Sequence, residues 1–329
     1  MRTIAVTGAE GFIGSHLVEA LVARGDNVRA LVQYNSFSSR GWLESLPAEH
    51  LGSVEVVFGD VRDGGQMMRF AEGVDAVLHL AALIAIPYSY VAPASYVATN
   101  AVGTLNVLEA VRAHGTRRLV HTSTSEVYGT ARTVPIHEGH PLQAQSPYAA
   151  SKIAADKLVE SYHLSFEVPA VTLRPFNTFG PRQSARAVIP TVISQIAAGK
   201  RKIHLGSASP TRDFNFVTNT VDAFLALLDA PTTVLGGTFN AGSGREVTIA
   251  ETVALIAAAM DADVEVVTEQ ERVRPVASEV QRLLADASAL HLATGWKPHV
   301  TLEDGLAVTA DWFRVPEHLA HYRPDTYQV

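Results

Sequence analysis

The sequence predicts an α/β fold, a doubly wound parallel sheet followed by a smaller C-terminal α+β domain. Two observations carry this. The chain opens on an apolar run at 3–7 (TIAVT) that passes at once into GAEGFIG and a helical pattern, HLVEALVARG. Short apolar strands then alternate with amphipathic helices through the first half, as a parallel sheet with crossover helices requires.

The 3–7 run reads as a buried parallel strand. Gly8, Gly11 and Gly14 behind it let the backbone approach a pyrophosphate, and the amides at the helix start face its charge. This strand, turn and helix form a dinucleotide-binding opening. The second strand, 27–32, ends in Gln33-Tyr34-Asn35-Ser36. An acid there would bind the adenosine ribose of NAD, and an arginine the 2′-phosphate of NADP. Neither is present, Arg40 lying several residues on, so this strand end leaves the cofactor open.

Strand three, 54–58, runs into Gly59-Asp60-Val61-Arg62-Asp63, and strand four, 76–80, into Ala81-Ala82. These small residues suit either a flat ligand against the backbone or close helix packing. One long helix is expected over 96–113, leading to a strand at 119. That strand spills into Thr122, Ser123, Thr124 and Ser125, with Glu126 directly after. Tyr148 follows at the start of another helical run, four residues before Lys152. This spacing puts phenol and ammonium on one helical face. The ammonium is expected to lower the phenol's pKa and fit Tyr148 to act as a base.

Beyond Lys152 the expected order is a strand at 170–173, a Pro- and Gly-rich loop carrying Arg174 and Arg182, a helix at 189–198 and a strand at 200–205. A polar stretch at 211–214, a helix at 219–228 and a strand at 237–240 come next. A helix, a strand at 264–267, an arginine-rich loop (Arg272, Arg274) and a closing helix at 302–313 complete the chain, with a loosely held tail past Pro316.

With 329 residues, 47% hydrophobic and 18% charged, a sizeable core is assured. The absence of cysteine excludes disulfides and thiolate metal sites, and no metal is expected. A net charge of −7 argues against nucleic acid. The longest apolar run, 76–86, contains His79 and is too short to span a bilayer. No signal segment opens the chain, so a cytoplasmic protein without a membrane partner is expected.

Taken together, TGAEGFIG, GDVRD, HLAA, STSEVYG, SPYAASK, RPFNTFGPRQ, RDFNFV and the late GWKP…LEDGL resemble the extended short-chain dehydrogenase/reductase superfamily, in its nucleotide-sugar epimerase/dehydratase branch. The resemblance covers nearly the whole length. It implies a Rossmann domain for NAD (NADP possible) at 1–175 plus 211–242, and a nucleotide-sugar domain at 176–210 plus 243–329. It implies catalysis by Thr124, Glu126, Tyr148 and Lys152. Cofactor contacts would come from Gly8, Gly11, Phe12, Ile13, Gly14, Asn35, Ser36, Asp60, Val61, Leu80, Ala81 and Ala82, together with Tyr148 and Lys152. Tyr88, Ser125, Asn177, Arg182, Val188, Arg212 and Arg274 would meet a nucleotide-diphosphate sugar. Two subunits would pair through the 96–113 and 148–163 helices.

Within the branch, Thr124-Ser125-Glu126 is similar to the pattern of GDP-mannose dehydratases, where thymidine-diphosphate-glucose dehydratases have Thr-Asp-Glu. Simple 4-epimerases usually lack the carboxylate. The segments IPYSYVAP and GPRQSARAVIPTVI resemble enzymes that make 4-keto-6-deoxy-N-acetylglucosamine nucleotides, as in legionaminic-type pathways. Gln33 and Tyr34 stand where the GDP-mannose enzymes have NADP-gripping arginines, which favours NAD. The rival readings are a 4-epimerase or reductase on the same scaffold and, more distantly, a non-catalytic dinucleotide-binding regulator.

Overall fold

The computed structural model describes residues 2–327. Seven parallel strands form one sheet in the order Thr238–Ala241, Ala170–Pro175 (β6), Arg118–Thr122 (β5), Ala76–His79 (β4), Thr3–Thr7 (β1), Asn27–Gln33 (β2) and Val54–Gly59 (β3). The strands are apolar on both faces because both faces are covered. Ile4 and Val6 look into one core, shared with the Phe12–Ala23 and Val217–Asp229 helices. Ala5 and Val77 look into the other, shared with the Gly64–Phe70 and Gly103–His114 helices.

β1 sits between β2 and β4, so the chain winds one way to β3 and then returns to start β4 on the other side. The crevice beyond the carboxyl ends of β1 and β4 is therefore a topological switch point, where such sheets bind ligands.

The rest of the chain caps this crevice. The Val188–Ala197, Ile249–Ala259 and Leu302–Arg314 helices pack together. Lys202–Leu205 pairs in parallel with Glu265–Thr268, and Thr211–Asp213 pairs antiparallel to Glu246–Thr248. The Ile249–Ala259 helix starts at a capping box between Thr248 and Glu251, which satisfies two otherwise orphaned amides.

Three expectations need correction. The single helix over 96–113 is a short Pro93–Tyr96 helix, a π-helical stretch Val97–Val102 and the Gly103–His114 helix. The widened turn serves Asn100, whose Oδ1 accepts from Leu83 N and whose Nδ2 donates to Leu83 O and Ser151 Oγ, all at 2.9 Å. The polar stretch at 211–214 contains a strand, whose partner Glu246–Thr248 was not foreseen. Nor is the tail loose. His318 stacks on Trp312 at 4.2 Å, and buried Tyr322 donates to Gln183 O at 2.8 Å.

Candidate active site

The glycine turn after β1 has room for backbone alone. A Cβ on Gly14 would lie 2.1 Å from Gly8 O, and one on Gly8 (φ +67°) would lie 2.8 Å from Ala81 N. Thr7 fixes the neighbouring strand end, its Oγ accepting from Leu80 N and Ala81 N at 3.1 Å each. That commits the Thr7 hydroxyl proton to His79 Nδ1 at 2.8 Å. The Thr104 hydroxyl donates to Asn100 O, so His79 Nε2 is the donor to Thr104 Oγ at 3.0 Å. Burial, reinforced by His121 and Lys152, lowers the His79 pKa and keeps the ring neutral.

From this turn a cleft of about 1060 Å³ runs along the strand ends. Gly8, Gly11, Phe12, Ile13 and Gly14 line it, as do Asp60, Val61, Leu80, Ala81 and Ala82. Asn35 and Ser36 do not. The Asn35 side chain closes its own loop instead, donating to Ser39 O at 2.8 Å and accepting from Phe37 N and Ser39 N. Glu10, Gln33 and Trp42 line the cleft in their place. The Asp60 carboxylate is held below its ordinary pKa by its hydrogen bond from Arg62.

Three elements bring the predicted catalytic residues together. Thr124 follows β5 in an extended conformation, and its Oγ accepts from Glu126 N at 3.2 Å to start the short Ser125–Tyr128 turn. Ser146 caps the Pro147–Phe166 helix by accepting from Ala149 N at 3.1 Å, which places Tyr148 in the first turn. Lys152 lies one turn on and donates to Thr122 O at 2.6 Å.

The electrostatics differ from the sequence expectation. Burial pushes the Tyr148 phenol up, the Thr124 hydroxyl opposes this, and Glu126 and Tyr96 reinforce it. Burial outweighs any pull from the Lys152 ammonium. That ammonium is engaged with the Thr122 carbonyl and is itself pulled down to about 8, by burial against the attraction of Asp156.

The remaining predicted residues also line the cleft. Arg212 and Arg274 converge on Glu279 at 3.1 and 3.6 Å. Burial lowers the Arg212 pKa, and the Glu126 charge opposes this. Asn177 Oδ1 is buried without a partner. Tyr88, Ser125 and Val188 complete that end. Arg182 turns to the Phe12–Ala23 helix, reaching Glu19 at 3.1 Å and Ser15 at 3.4 Å, and so stands beside the glycine turn. Sequence reasoning missed Glu10, Glu279 and Tyr327, which lines the cleft with Arg272 over its ring. A charged residue inside the glycine turn was the available signal for Glu10.

Among the described residues, no group of three or more His, Cys, Asp or Glu could hold a metal ion. Nor is any helix among them long and apolar enough to cross a membrane.

Comparison with known proteins places this geometry. Residues 5–309 match the profile of the GDP-mannose 4,6 dehydratase family. UDP-glucose 4-epimerase of Mycolicibacterium smegmatis is 36% identical, over 95% of this chain and 99% of that protein. dTDP-glucose 4,6-dehydratase of Xanthomonas campestris pv. campestris is 34% identical, over 95% and 93%. The crystal structure of a double mutant of DesIV, a dTDP-glucose 4,6-dehydratase from Streptomyces venezuelae with NAD and DAU bound, superposes with a TM-score of 0.86 at 29% identity. It covers 96% of this chain and 98% of its own.

Proposed function

Since this chain belongs to the GDP-mannose 4,6-dehydratase family of nucleotide-sugar enzymes, we propose that it is a nucleotide-sugar 4,6-dehydratase that uses NAD. Its substrate in this reading is an N-acetylglucosamine nucleotide, carried on UDP or GDP, and its product the 4-keto-6-deoxy sugar. The observation that carries the dehydratase reading is Glu126, a carboxylate two residues past Thr124 in the cleft that holds Tyr148. The glycine turn, where Gly8 and Gly14 leave no room for a Cβ, fits a dinucleotide pyrophosphate.

Held at the glycine turn of Gly8, Gly11 and Gly14, NAD would supply hydride-acceptor chemistry at the sugar C4 and hydride-donor chemistry at C6. The protein's part is proton traffic and orientation. The ionised form of Tyr148, costly to reach because burial raises its pKa, would take the proton from O4, and Thr124 would hydrogen-bond O4 and fix its position. The resulting 4-ketone acidifies the C5 hydrogen, which Glu126 removes as general base. Hydroxide leaves C6 and takes up a proton as water, and C5 is reprotonated after hydride reaches C6. Ser125 has no acidic proton to give the leaving group, so that proton comes from Glu126 or from a water. Lys152 supplies positive charge beneath the reacting centre, and Arg212 and Arg274 take the diphosphate.

An epimerase reading has its own support, since a UDP-glucose 4-epimerase is among the similar proteins. Incubation with a panel of nucleotide sugars, followed by product analysis, separates the readings. A 4-keto-6-deoxy product from UDP- or GDP-N-acetylglucosamine supports the proposal. A 4-epimer would replace it with epimerase, and no conversion across the panel would favour a non-catalytic dinucleotide-binding protein.

A further inference from the structure

The end of β2 carries no acidic side chain, yet a carboxylate stands there. Glu10, inside the glycine turn, folds over that strand end so that Oε1 accepts from Gln33 N at 2.9 Å. Its other oxygen, Oε2, is buried and has no hydrogen-bond partner. The backbone behind it is clamped. Trp42 N donates to Glu10 O at 3.0 Å, and a Cβ on Gly41 would lie 2.8 Å from Glu10 O and 2.9 Å from Glu10 Cβ.

The position has a chemical meaning. Gln33 pairs in register with Gly59, and Asp60 and Val61 follow directly on the cleft wall. The Glu10 carboxylate thus lies between the turn that takes a pyrophosphate and the wall expected to take the adenine. The sugar joining the two must pass it. A buried carboxylate oxygen without a partner is costly, and the vicinal hydroxyls of a ribose would supply the missing donors. A phosphate on that ribose would instead set negative charge against negative charge. The nearby Arg62 is engaged with Asp60.

We propose that Glu10 binds the adenosine ribose hydroxyls of NAD and excludes the 2′-phosphate of NADP, taking over the task of the acid that β2 lacks. The inference concerns the dinucleotide cleft and does not depend on which sugar chemistry follows.

The test is equilibrium binding to the purified full chain, followed by calorimetry, with NAD, 2′-deoxy-NAD and NADP as probes. Hydrogen bonds to charged groups set the scale. The unmodified protein should bind 2′-deoxy-NAD about tenfold or more weakly than NAD, and NADP more weakly still. Glu10→Gln keeps an acceptor for Gln33 N but removes the charge. It should bind NAD more weakly, NADP more tightly, and reduce the preference for NAD by about tenfold or more. Equal affinity of the unmodified protein for NAD and 2′-deoxy-NAD would overturn the proposal, as would an unchanged NAD-to-NADP ratio in Glu10→Gln. If that variant does not fold, the 2′-deoxy-NAD comparison decides alone.

Discussion

The Asp156 carboxylate and the Arg174 guanidinium meet at 2.8 Å in the interior, behind the strand end that carries Thr124. Asp156 also accepts from Ser123 Oγ at 2.8 Å, and Arg174 donates to the Tyr128 hydroxyl at 2.9 Å. Tyr128 in turn donates to Asn240 Oδ1 at 2.8 Å. Removing one partner of a buried pair strands the other charge, so Asp156→Ala should cost about 3–5 kcal/mol of stability. Urea denaturation would read this. A loss below about 1 kcal/mol would mean that water reaches the pair and solvates it.

A pH limb should follow from Lys152. Its folded pKa lies near 8, below the ordinary lysine value, because burial outweighs the attraction of Asp156. The ammonium is therefore lost as pH rises through about 8. If that charge supports the reaction, kcat/KM, which reports the free enzyme, should decline on the alkaline side with a midpoint near 8. A profile that stays level well above this pH would remove the ammonium from the mechanism.

Glu126 decides the reaction class. Glu126→Gln should keep the fold, the cofactor and the first hydride transfer, because none of these uses the carboxylate. Elimination should slow by about 10²–10⁴-fold, the usual cost of a lost general base. Reduced cofactor and a 4-keto sugar that retains its C6 hydroxyl should accumulate, and exchange of the C5 hydrogen with deuterated solvent should fall in parallel. Tyr148→Phe should suppress cofactor reduction itself. Dehydration by Glu126→Gln at near the parent rate would make epimerase the better assignment.

Arg212 is buried against Glu279 and donates to Val280 O at 2.8 Å. Charge-assisted bonds to phosphate are worth about 1.5–3 kcal/mol, so Arg212→Ala should weaken nucleotide-sugar binding at least about tenfold. Titration calorimetry with the sugar nucleotide is the direct measurement. Unchanged affinity would leave Arg212 as a structural partner of Glu279 and Val280.

A dimer is expected through the Gly103–His114 and Pro147–Phe166 helices and the π-helical stretch ahead of the first. Val97, Val102, Leu164 and Phe166 on these elements are 52%, 44%, 74% and 45% exposed, apolar side chains that a partner's helices would cover. Sedimentation velocity at micromolar concentration should give twice the chain mass. A monomer throughout would refute the pairing.

What could be read in the sequence was what depends on local spacing. The β1 strand, the glycine turn behind it and the Tyr148–Lys152 pair each lie within a few residues of chain, where periodicity and turn chemistry act directly. The failures have a different origin. The Asn35 side chain closes its own loop and Glu10 reaches the end of β2 from another turn, contacts that spacing along β2 does not announce. The Tyr148 pKa was misjudged because neighbouring charge is legible in sequence and depth of burial is not. One π-helical turn between two ordinary helices leaves their apolar spacing intact, so periodicity passes over it. The tail reads as polar, yet Tyr322 packs against Phe313 at 4.6 Å, a contact no local pattern announces.

The order of strands also bears on how the protein is made. β1, the earliest of these seven strands in chain order, lies inside the sheet, which therefore widens outward from its interior as this stretch leaves the ribosome. One margin, β3, is in its final state early. The other is not, because β6 gains its outer neighbour only when Thr238–Ala241 emerges after the whole 176–237 excursion. At about 5–20 residues per second that interval lasts several seconds. Throughout it the nascent chain presents an apolar parallel edge, AVTL, with no strand to cover it. Chaperone occupancy on ribosomes should therefore be highest over this stretch, and chains broken off within it should be the ones that aggregate.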